Sequence, residues 1–213
     1  MPVNNLIDPT CNIEDGCVVN KSELKLYSRL KRNVEFSSSF LGEYSYVGSG
    51  SVVNKTVIGK FTSIGPGCYI GLWEHDTDVS THSFYLYETS GFFVKGYQNY
   101  KKDELQTTIG SDVWVGANVS IKKGITIGHG AILGSSSVIT KDVEPYSIVV
   151  GNPGRVKKYR YASDDINMLI QTRWWDFSRE EIQVMVDKGL FQDFEVFKKY
   201  ITETKSRAYI QRW

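Results

Sequence analysis

The sequence is poor in the residues that build disulfide frameworks and metal centres. It has three cysteines, Cys11, Cys17 and Cys68, which are odd in number and lack CxxC spacing. Neither a disulfide framework nor a zinc site is indicated, and we expect no bound metal. Cys17 and Cys68 each occupy a small-residue position of a six-residue repeat, which favours buried structural roles over reactive ones.

Charge of one sign and long apolar runs are also missing. The chain of 213 residues has 25 basic and 24 acidic residues, a net charge of +1, so we expect no nucleic-acid partner and no anionic membrane surface as partner. No apolar stretch approaches the roughly 20 residues that span a bilayer. The start, MPVNNLIDPT, lacks a basic segment followed by an apolar run, so we expect a cytoplasmic protein without membrane insertion.

A repeat of six residues dominates positions 109–143. A β-branched residue or leucine recurs at every sixth position, at Ile109, Val115, Ile121, Ile127, Leu133 and Ile139. A period of six fits neither an amphipathic helix nor an array of simple hairpins. It is typical of a solenoid, in which each repeat supplies one strand and one corner and stacked coils share a core.

The repeat is less regular towards the N-terminus. The six-residue step runs from Leu41 to Gly71 with one hexad, at 53–57, a residue short. Residues 13–24 resemble a decayed first coil. Residues 25–40 alternate only in part and carry four basic side chains, so we expect them on an outer face or an edge.

Residues 72–108 interrupt the repeat. A connection of this length inside a compact domain is either functional or disordered. It is rich in aromatic residues, which runs against the composition of disordered chains. They include Phe84, Tyr85, Tyr87, Phe92, Phe93, Tyr97 and Tyr100. We expect an excursion that folds against the solenoid or a neighbouring subunit, and it contains two of the three histidines.

Helical signals replace the repeat after Pro153. Ser163 can cap a helix in which Ile166, Leu169, Ile170 and Trp174 follow helical spacing. The segment from Ser178 to Glu181 is a capping box for a second helix that ends at Gly189, and a third is expected over 193–200. We therefore predict a β-helix domain at 1–160, with its excursion at 72–108, and a helical extension at 161–213 that covers the open end of the solenoid.

Three stretches give the chain a family resemblance. They are His75 to Phe84; the hexads from Asp112 to Val119 continuing through 134–138 and 140–143 to Arg155; and Met168 to Phe177, with its Trp-Trp-Asp. The chain resembles the hexapeptide-repeat acyltransferases, and most of all their xenobiotic acetyltransferase branch. That branch includes chloramphenicol and streptogramin acetyltransferases and is related to polysaccharide O-acetyltransferases. The resemblance implies a left-handed parallel β-helix, acetyl-CoA as co-substrate, and a homotrimer with active sites between subunits.

The same resemblance implies His75 as the catalytic general base. An imidazole with a pKa near about 6.5 can take the proton of an acceptor hydroxyl at neutral pH. His82 is the rival candidate, and His129 is expected at the surface. Asp76 and Asp78 either orient the imidazole or cap loop amides as Asx turns. Two departures from the branch, Asp76 where Arg is common and Ser83 where Pro is common, favour an acceptor other than an antibiotic.

The candidate binding residues follow from the resemblance and from side-chain chemistry. For the coenzyme they are Trp114 near the pantetheine arm, the small residues Gly116, Ala117, Ser135 and Ser136, and the cations Lys141 and Arg155 for its phosphates. For the acceptor they are Tyr44 and Asp76. Ordinary corner geometry explains each small residue equally well, and each cation alone fits a solvated surface.

Several functions compete for this site. We favour O-acetylation of a saccharide or sugar-containing acceptor. The alternatives are an antibiotic acetyltransferase, a nucleotide amino-sugar N-acetyltransferase, and a non-enzymatic scaffold or sugar-binding module. A γ-type carbonic anhydrase holds zinc with three histidines, two of them closely spaced on adjacent repeat positions, whereas two of the three histidines here lie in the excursion.

Overall fold

The computed structural model describes residues 4–72, 75, 79–86, 88, 91, 93–96 and 105–210, without the side chains of 205–210. It divides the chain into two compact units, Met1–Tyr161 and Ala162–Trp213. Within the described residues, no helix is both long enough and apolar enough to cross a membrane.

The first unit is built from three sheets of very short strands. Sheet A contains β1 (Leu6–Ile7), β4 (Glu23–Leu24), β7 (Phe40–Leu41), β10 (Thr56–Ile58), β13 (Thr107–Ile109) and β16 (Thr126–Ile127). Sheet B contains β2 (Asn12–Ile13), β5 (Arg29–Leu30), β8 (Tyr46–Val47), β11 (Ser63–Ile64), β14 (Trp114–Val115), β17 (Ile132–Leu133), β19 (Ser147–Val150) and β20 (Arg155–Tyr159). Sheet C contains β3 (Val18–Asn20), β6 (Glu35–Ser37), β9 (Val52–Asn54), β12 (Tyr69–Leu72), β15 (Ser120–Lys122) and β18 (Val138–Ile139).

From β1 to β18, successive strands along the chain fall in successive sheets, and the last two, β19 and β20, both belong to sheet B. Each strand pairs in parallel with the strand one coil away, and among the described strands β19 and β20 alone pair antiparallel. The chain therefore winds as a three-sided parallel β-helix, which confirms the fold predicted from the hexads. We call the turns between the sheets the AB, BC and CA corners.

One inward residue per side fills the core of the β-helix. These residues are almost completely buried, among them Leu24, Leu30, Phe36, Leu41, Val47, Val53, Ile58, Ile64, Ile70, Ile109, Val115, Ile121, Ile127, Leu133 and Ile139. The β-branched and leucine residues of the hexads are thus the core, because each side of a coil turns one side chain inward and the others outward.

The expected outer position of the basic side chains at 25–40 is confirmed, because Arg29 and Arg32 are exposed and Lys25 and Lys31 are partly exposed. The expectation that residues 13–40 lose the repeat is wrong. They form complete coils, in which Leu24, Leu30 and Phe36 are 1%, 0% and 0% exposed. Paired positions are 17 residues apart in these coils, as in Leu6 with Glu23 and Glu23 with Phe40. These coils are therefore one residue shorter than three hexads. The short side is the CA corner, where Lys21, Ser38 and Lys55 adopt a left-handed backbone (φ 48°, 50° and 43°) that tightens the turn.

The interruption of the repeat lies at the CA corner, between β12 and β13. Its described part contains a 3₁₀ turn at Ser83–Tyr85. Phe84 packs edge-on against Tyr85 and Phe93, with ring centroids 5.4 Å apart in each pair. Phe92 and Tyr87, Tyr97 and Tyr100 lie outside the described residues.

Up to residue 210, the second unit contains three α-helices, α1 (Ser163–Thr172), α2 (Arg179–Asp187) and α3 (Phe194–Ile210). The capping box at Ser178 and Glu181 is confirmed. Ser163 is not a cap, because α1 begins at Ser163 itself and the N-cap residue is Ala162. Trp174 lies beyond α1 in a 3₁₀ turn, and α3 is longer than the predicted 193–200. That the helices cover the end of the solenoid stays a prediction.

Candidate active site

The excursion leaves the β-helix through a bulge. The pairing of β12 with β15 runs from Ile70 with Ile121 to Leu72 with Lys122, and its register shifts in between. Gly71 lies at this shift with φ +68°, and a Cβ on it would lie 2.0 Å from the main-chain oxygen of Asn54. Only glycine fits, and the bulge turns the chain out of sheet C just before His75.

His75 is exposed, and its ring is oriented by the chain that follows it. Its Nδ1 lies 2.6 Å from the main-chain oxygen of Thr81. A carbonyl oxygen can only accept, so Nδ1 carries the hydrogen, and in the neutral ring Nε2 is the nitrogen with the lone pair. This arrangement gives the imidazole the tautomer of a general base.

The other two histidines accept hydrogen bonds from the main chain. The Nδ1 of His82 accepts from the N–H of Phe84 at 3.0 Å and so caps the 3₁₀ turn. The expectation for His129 needs correction, because its ring is half-buried at the AB corner. Its Nδ1 accepts from the N–H of Ser111 at 2.8 Å. Both rings therefore have structural roles in the described chain.

The four small residues come together at the BC corner. Ser136 donates its N–H to the oxygen of Ala117 in the preceding coil at 2.8 Å. A Cβ on Gly116 would lie 2.6 Å from the nitrogen of Ser135. Gly116 is buried, Ala117 is half-buried and the two serines are exposed. Close stacking of the coils therefore explains Gly116 by itself, while the two serines remain at the surface.

A buried thiol lies beneath this corner. The Sγ of Cys68 donates to the oxygen of Gly116 at 3.2 Å, and Cys68 is 0% exposed. Burial raises the pKa of the Cys68 thiol, which keeps it protonated at neutral pH and unsuited to nucleophilic chemistry. Its expected structural role fits this environment.

The remaining candidates lie on different sides of the β-helix. Trp114 is on the outer face of sheet B with 56% of its surface exposed, in register between Ser63 and Ile132. Arg155 begins β20, and its side chain donates to the oxygen of Gly154 at 2.9 Å. Lys141 is exposed at the CA corner of the last coil, so one chain does not bring it to the BC corner.

Tyr44 belongs to a ladder of aromatic rings at the AB corner. It stacks between Tyr27 and Phe61, with centroid distances of 5.6 and 4.9 Å, and is half-buried. Its φ of +61° is close to the φ of both neighbours in the ladder. Stacking between coils thus accounts for the position of Tyr44. Asp76 and Asp78 lie outside the described residues.

Further along the AB corner lies a polar cluster that no sequence pattern indicated. The Nη1 of Arg160 lies 3.1 Å from Oδ2 of Asp112 and 2.7 Å from the oxygen of Gly130. Burial raises the pKa of the Asp112 carboxyl, although Arg160 opposes the shift. The cluster ties the end of β20 to the body of the β-helix. Among the described residues, no group of three or more His, Cys, Asp or Glu side chains could hold a metal ion.

Comparison with known proteins places these features in a family. Residues 106–141 match the model of the bacterial transferase hexapeptide family (six repeats). A chloramphenicol acetyltransferase of Klebsiella aerogenes is 40% identical over 135 residues, which are 62% of this chain and 64% of the relative. A probable macrolide acetyltransferase of Lysinibacillus sphaericus is 34% identical over 153 residues, 70% of this chain and 79% of the relative.

A solved hexapeptide-repeat acetyltransferase from Vibrio cholerae is 21% identical, with a TM-score of 0.48, over 74% of this chain and 72% of that one. The chain belongs to the hexapeptide-repeat acyltransferases. Within that family it is similar to chloramphenicol and macrolide acetyltransferases. It spans 64% of the length of the chloramphenicol acetyltransferase from Klebsiella aerogenes.

Proposed function

We propose that this protein is an acetyl-CoA-dependent O-acetyltransferase that uses His75 as its general base. The observation that carries the proposal is the hydrogen bond from Nδ1 of His75 to the oxygen of Thr81. It leaves Nε2 as the proton acceptor and fixes the plane of the ring. An exposed imidazole with this tautomer suits the removal of a proton from an incoming hydroxyl.

The proposed reaction is a direct transfer in a ternary complex. Nε2 of His75 takes the proton of the acceptor hydroxyl while its oxygen attacks the carbonyl carbon of the thioester. The tetrahedral intermediate collapses, the carbon–sulfur bond breaks, and the thiolate of coenzyme A leaves. The imidazolium then protonates the thiolate, which restores the neutral ring and gives an acetyl ester and free coenzyme A.

The BC corner is the proposed cradle of the coenzyme. Ser135 and Ser136 present hydroxyls there, and Gly116 and Ala117 let the neighbouring main chain approach. Trp114 offers an exposed indole to the pantetheine arm, and Arg155 offers a guanidinium to a phosphate. Because acetyl-CoA is a cytoplasmic metabolite, the proposal includes a cytoplasmic location.

A second chain is needed to complete this site. His75 and Lys141 belong to the CA corner, whereas Gly116 and the two serines belong to the BC corner. Two corners of one three-sided coil face away from each other, so a site that uses both lies between neighbouring subunits. We propose a homotrimer, in which closed symmetry makes three such sites. Sedimentation of the purified protein as a monomer would count against it.

For the acceptor we propose a hydroxyl of a saccharide or sugar-containing compound. The departures at Asp76 and Ser83 from the antibiotic-modifying pattern support this choice. A second candidate is an antibiotic, supported by the 40% identity to a chloramphenicol acetyltransferase. The contacts of Tyr44 and Asp76 with either acceptor are part of the proposal.

Release of free thiol from acetyl-CoA tests the function and separates the acceptors. The purified protein is assayed with sugars, nucleotide sugars, chloramphenicol and virginiamycin. We expect acceptor-dependent thiol release with a member of the sugar groups. Release with an antibiotic alone favours the second candidate. A protein that neither binds acetyl-CoA nor releases thiol is a scaffold or sugar-binding module.

Replacement of His75 tests the mechanism. His75→Ala should lower turnover by roughly 10² to 10⁴-fold with coenzyme binding kept. His82→Asn is the matched control, because an asparagine oxygen can accept from the N–H of Phe84 and keep the cap. Equal losses of turnover in both variants would mean that activity depends on the structure of the excursion and not on the His75 imidazole.

A further inference from the structure

The excursion leaves the β-helix at a point where sheet C buries an amide. Asn54 ends β9, one coil below the bulge, and its main-chain oxygen would touch a Cβ on Gly71 at 2.0 Å. Asn54 is 8% exposed. We call Asn54, Gly71 and Leu72 the loop root.

The Nδ2 of Asn54 is buried without a hydrogen-bond acceptor in the part of the chain that the structure describes. Buried amide donors are almost always satisfied, because an unmade hydrogen bond leaves the cost of desolvation uncompensated. An apolar side chain of the same size would avoid this cost. A polar residue at such a position points to a function that stability alone does not explain.

The preceding coils provide an internal comparison for this position. Asn20, Ser37 and Asn54 are in register on sheet C, each one coil from the next. Asn20 is exposed and Ser37 is half-buried, whereas Asn54 is buried. The coil that follows Asn54 is the one that the excursion leaves. Burial of the amide therefore coincides with the departure of the segment that carries His75.

We propose that Asn54 is a positioning residue for His75, and that its Nδ2 gains a hydrogen-bond acceptor at the loop root when the substrates are bound. This inference rests on the proposed function. An interaction that is absent from the free protein and present in the reacting complex contributes to turnover and not to the stability of the fold. The amide thus destabilises the free protein and favours the arrangement of the root that aims the imidazole.

Replacement by leucine, which has nearly the same shape, separates a functional amide from a structural one. In Asn54→Leu we expect an equal or higher melting temperature, because the unsatisfied donor is gone. We expect kcat to fall about tenfold, the factor that corresponds to one neutral hydrogen bond, with KM for acetyl-CoA within about twofold. Asn20→Leu, at the register position two coils away, should leave both the melting temperature and kcat unchanged.

Two kinetic outcomes would overturn the proposal. The first is an unchanged kcat in Asn54→Leu. The second is a fall in kcat that accompanies a lower melting temperature, which would make the amide an ordinary structural group. A fall in kcat in a variant that is at least as stable as the wild type supports the positioning role.

Histidine NMR gives a readout that does not depend on catalysis. The chain has three histidines, and His75→Ala identifies the His75 signals in ¹⁵N-labelled protein. With acetyl-CoA or coenzyme A added, Asn54→Leu should shift the His75 ring signals and leave those of His129 in place. If the wild type transfers acetyl to no acceptor, the proposed function is wrong. The spectrum tests the positioning role independently of that result, because unchanged His75 signals in Asn54→Leu would overturn it.

Discussion

The BC and CA corners of the β-helix differ in how strictly they are spaced. Across the BC corner the inward residues are six apart in every described coil, as from Ile64 to Ile70. Across the CA corner the spacing varies. It is five from Val53 to Ile58. In the next coil it is 39, from Ile70 to Ile109, because the excursion lies between them.

The difference shows which corner of the β-helix tolerates a change in length. The strands on either side of the excursion still pair with the coils below and above. Before the excursion, Tyr69 pairs with Val52 and Ser120, and the register shifts only at the bulge. After it, Thr108 pairs with Val57 and Thr126. The CA corner takes five residues in the early coils and six at 121–127, and it admits a long segment without disturbing the coils. The strict BC corner carries the proposed coenzyme cradle, and the variable CA corner carries the excursion with His75.

A change of one residue at each corner should give the largest contrast. Deletion of Ser136 at the BC corner forces the next coil out of register, so that inward side chains turn outward, and we expect no folded protein. Insertion of one glycine after Lys21 at the CA corner only lengthens a five-residue side to six, at a cost of about 1 kcal/mol. Soluble yield and thermal unfolding measure both. Similar behaviour of the two variants would remove the distinction between the corners.

Glycine replacements should give the next largest contrast. In Gly116→Ala the new Cβ would lie 2.6 Å from the main-chain nitrogen of Ser135. To relieve this contact, the main chain of the neighbouring coil would have to shift. We expect a loss of about 1 to 3 kcal/mol in the free energy of unfolding. Gly124→Asn is the counterpart at the CA corner, because asparagine tolerates its φ of +78° and the nearest neighbour is the Leu105 side chain. Its loss should be below about 1 kcal/mol, within the range of mild surface changes. Denaturant unfolding compares the two, and the reverse order would contradict the comparison.

The regular part of the fold could be predicted because the signal lies in residue types. Each inward position needs an apolar side chain, so the step of six is visible from Ile109 to Ile139. The coils at 13–40 were missed because a strict step of six does not allow the five-residue CA side. Once that side is allowed, Leu24, Leu30 and Phe36 fall on the same step.

The candidate site could be predicted only in part. His75 is recognisable from the residues around it, but the atom that orients its ring is a main-chain oxygen, that of Thr81. Main-chain oxygens occur at every residue and leave no mark in a sequence. The buried amide of Asn54 is hidden for a related reason, because Asn20 at the same register position is exposed.

Two serines that look alike in the sequence extend the contrast to the helical unit. Ser178 accepts from the N–H of Glu181 at 3.2 Å as part of a capping box. Ser178→Ala should therefore cost about 1 kcal/mol. Ser163 is not the cap of its helix, since Ala162 is the N-cap of α1, and Ser163→Ala should be neutral within about 0.5 kcal/mol. Thermal unfolding measures both, and an equal loss would restore Ser163 as a cap.

The smallest expected effect concerns two carboxyls near the AB corner, in coils far apart along the β-helix. In the first coil, the hydroxyl and N–H of Thr10 hold the pKa of the Asp8 carboxyl below its usual value. Further along, burial raises the pKa of the Asp112 carboxyl. A raised pKa means that the folded state binds the proton more tightly than the unfolded state. The contribution of Asp112 to stability is then full below the unfolded pKa of about 3.8 and is lost as the pH rises through the folded value. That of Asp8 is present above the unfolded pKa and is lost as the pH falls.

Asparagine replacements read these two contributions separately. Asp112→Asn keeps an oxygen that can accept from Arg160 and removes the charge. Its stability relative to the wild type should therefore be more favourable at about pH 7 than at about pH 3.5, because the wild-type carboxyl is fully charged only at the higher pH. Asp8→Asn should show the opposite trend, since the charged form of Asp8 is the one that Thr10 stabilises. Unfolding free energies at the two pH values test the pair. Opposite trends are expected because burial raises the pKa of Asp112 while hydrogen bonds lower that of Asp8. If both variants showed the same trend, burial would not be what controls the pKa of Asp112.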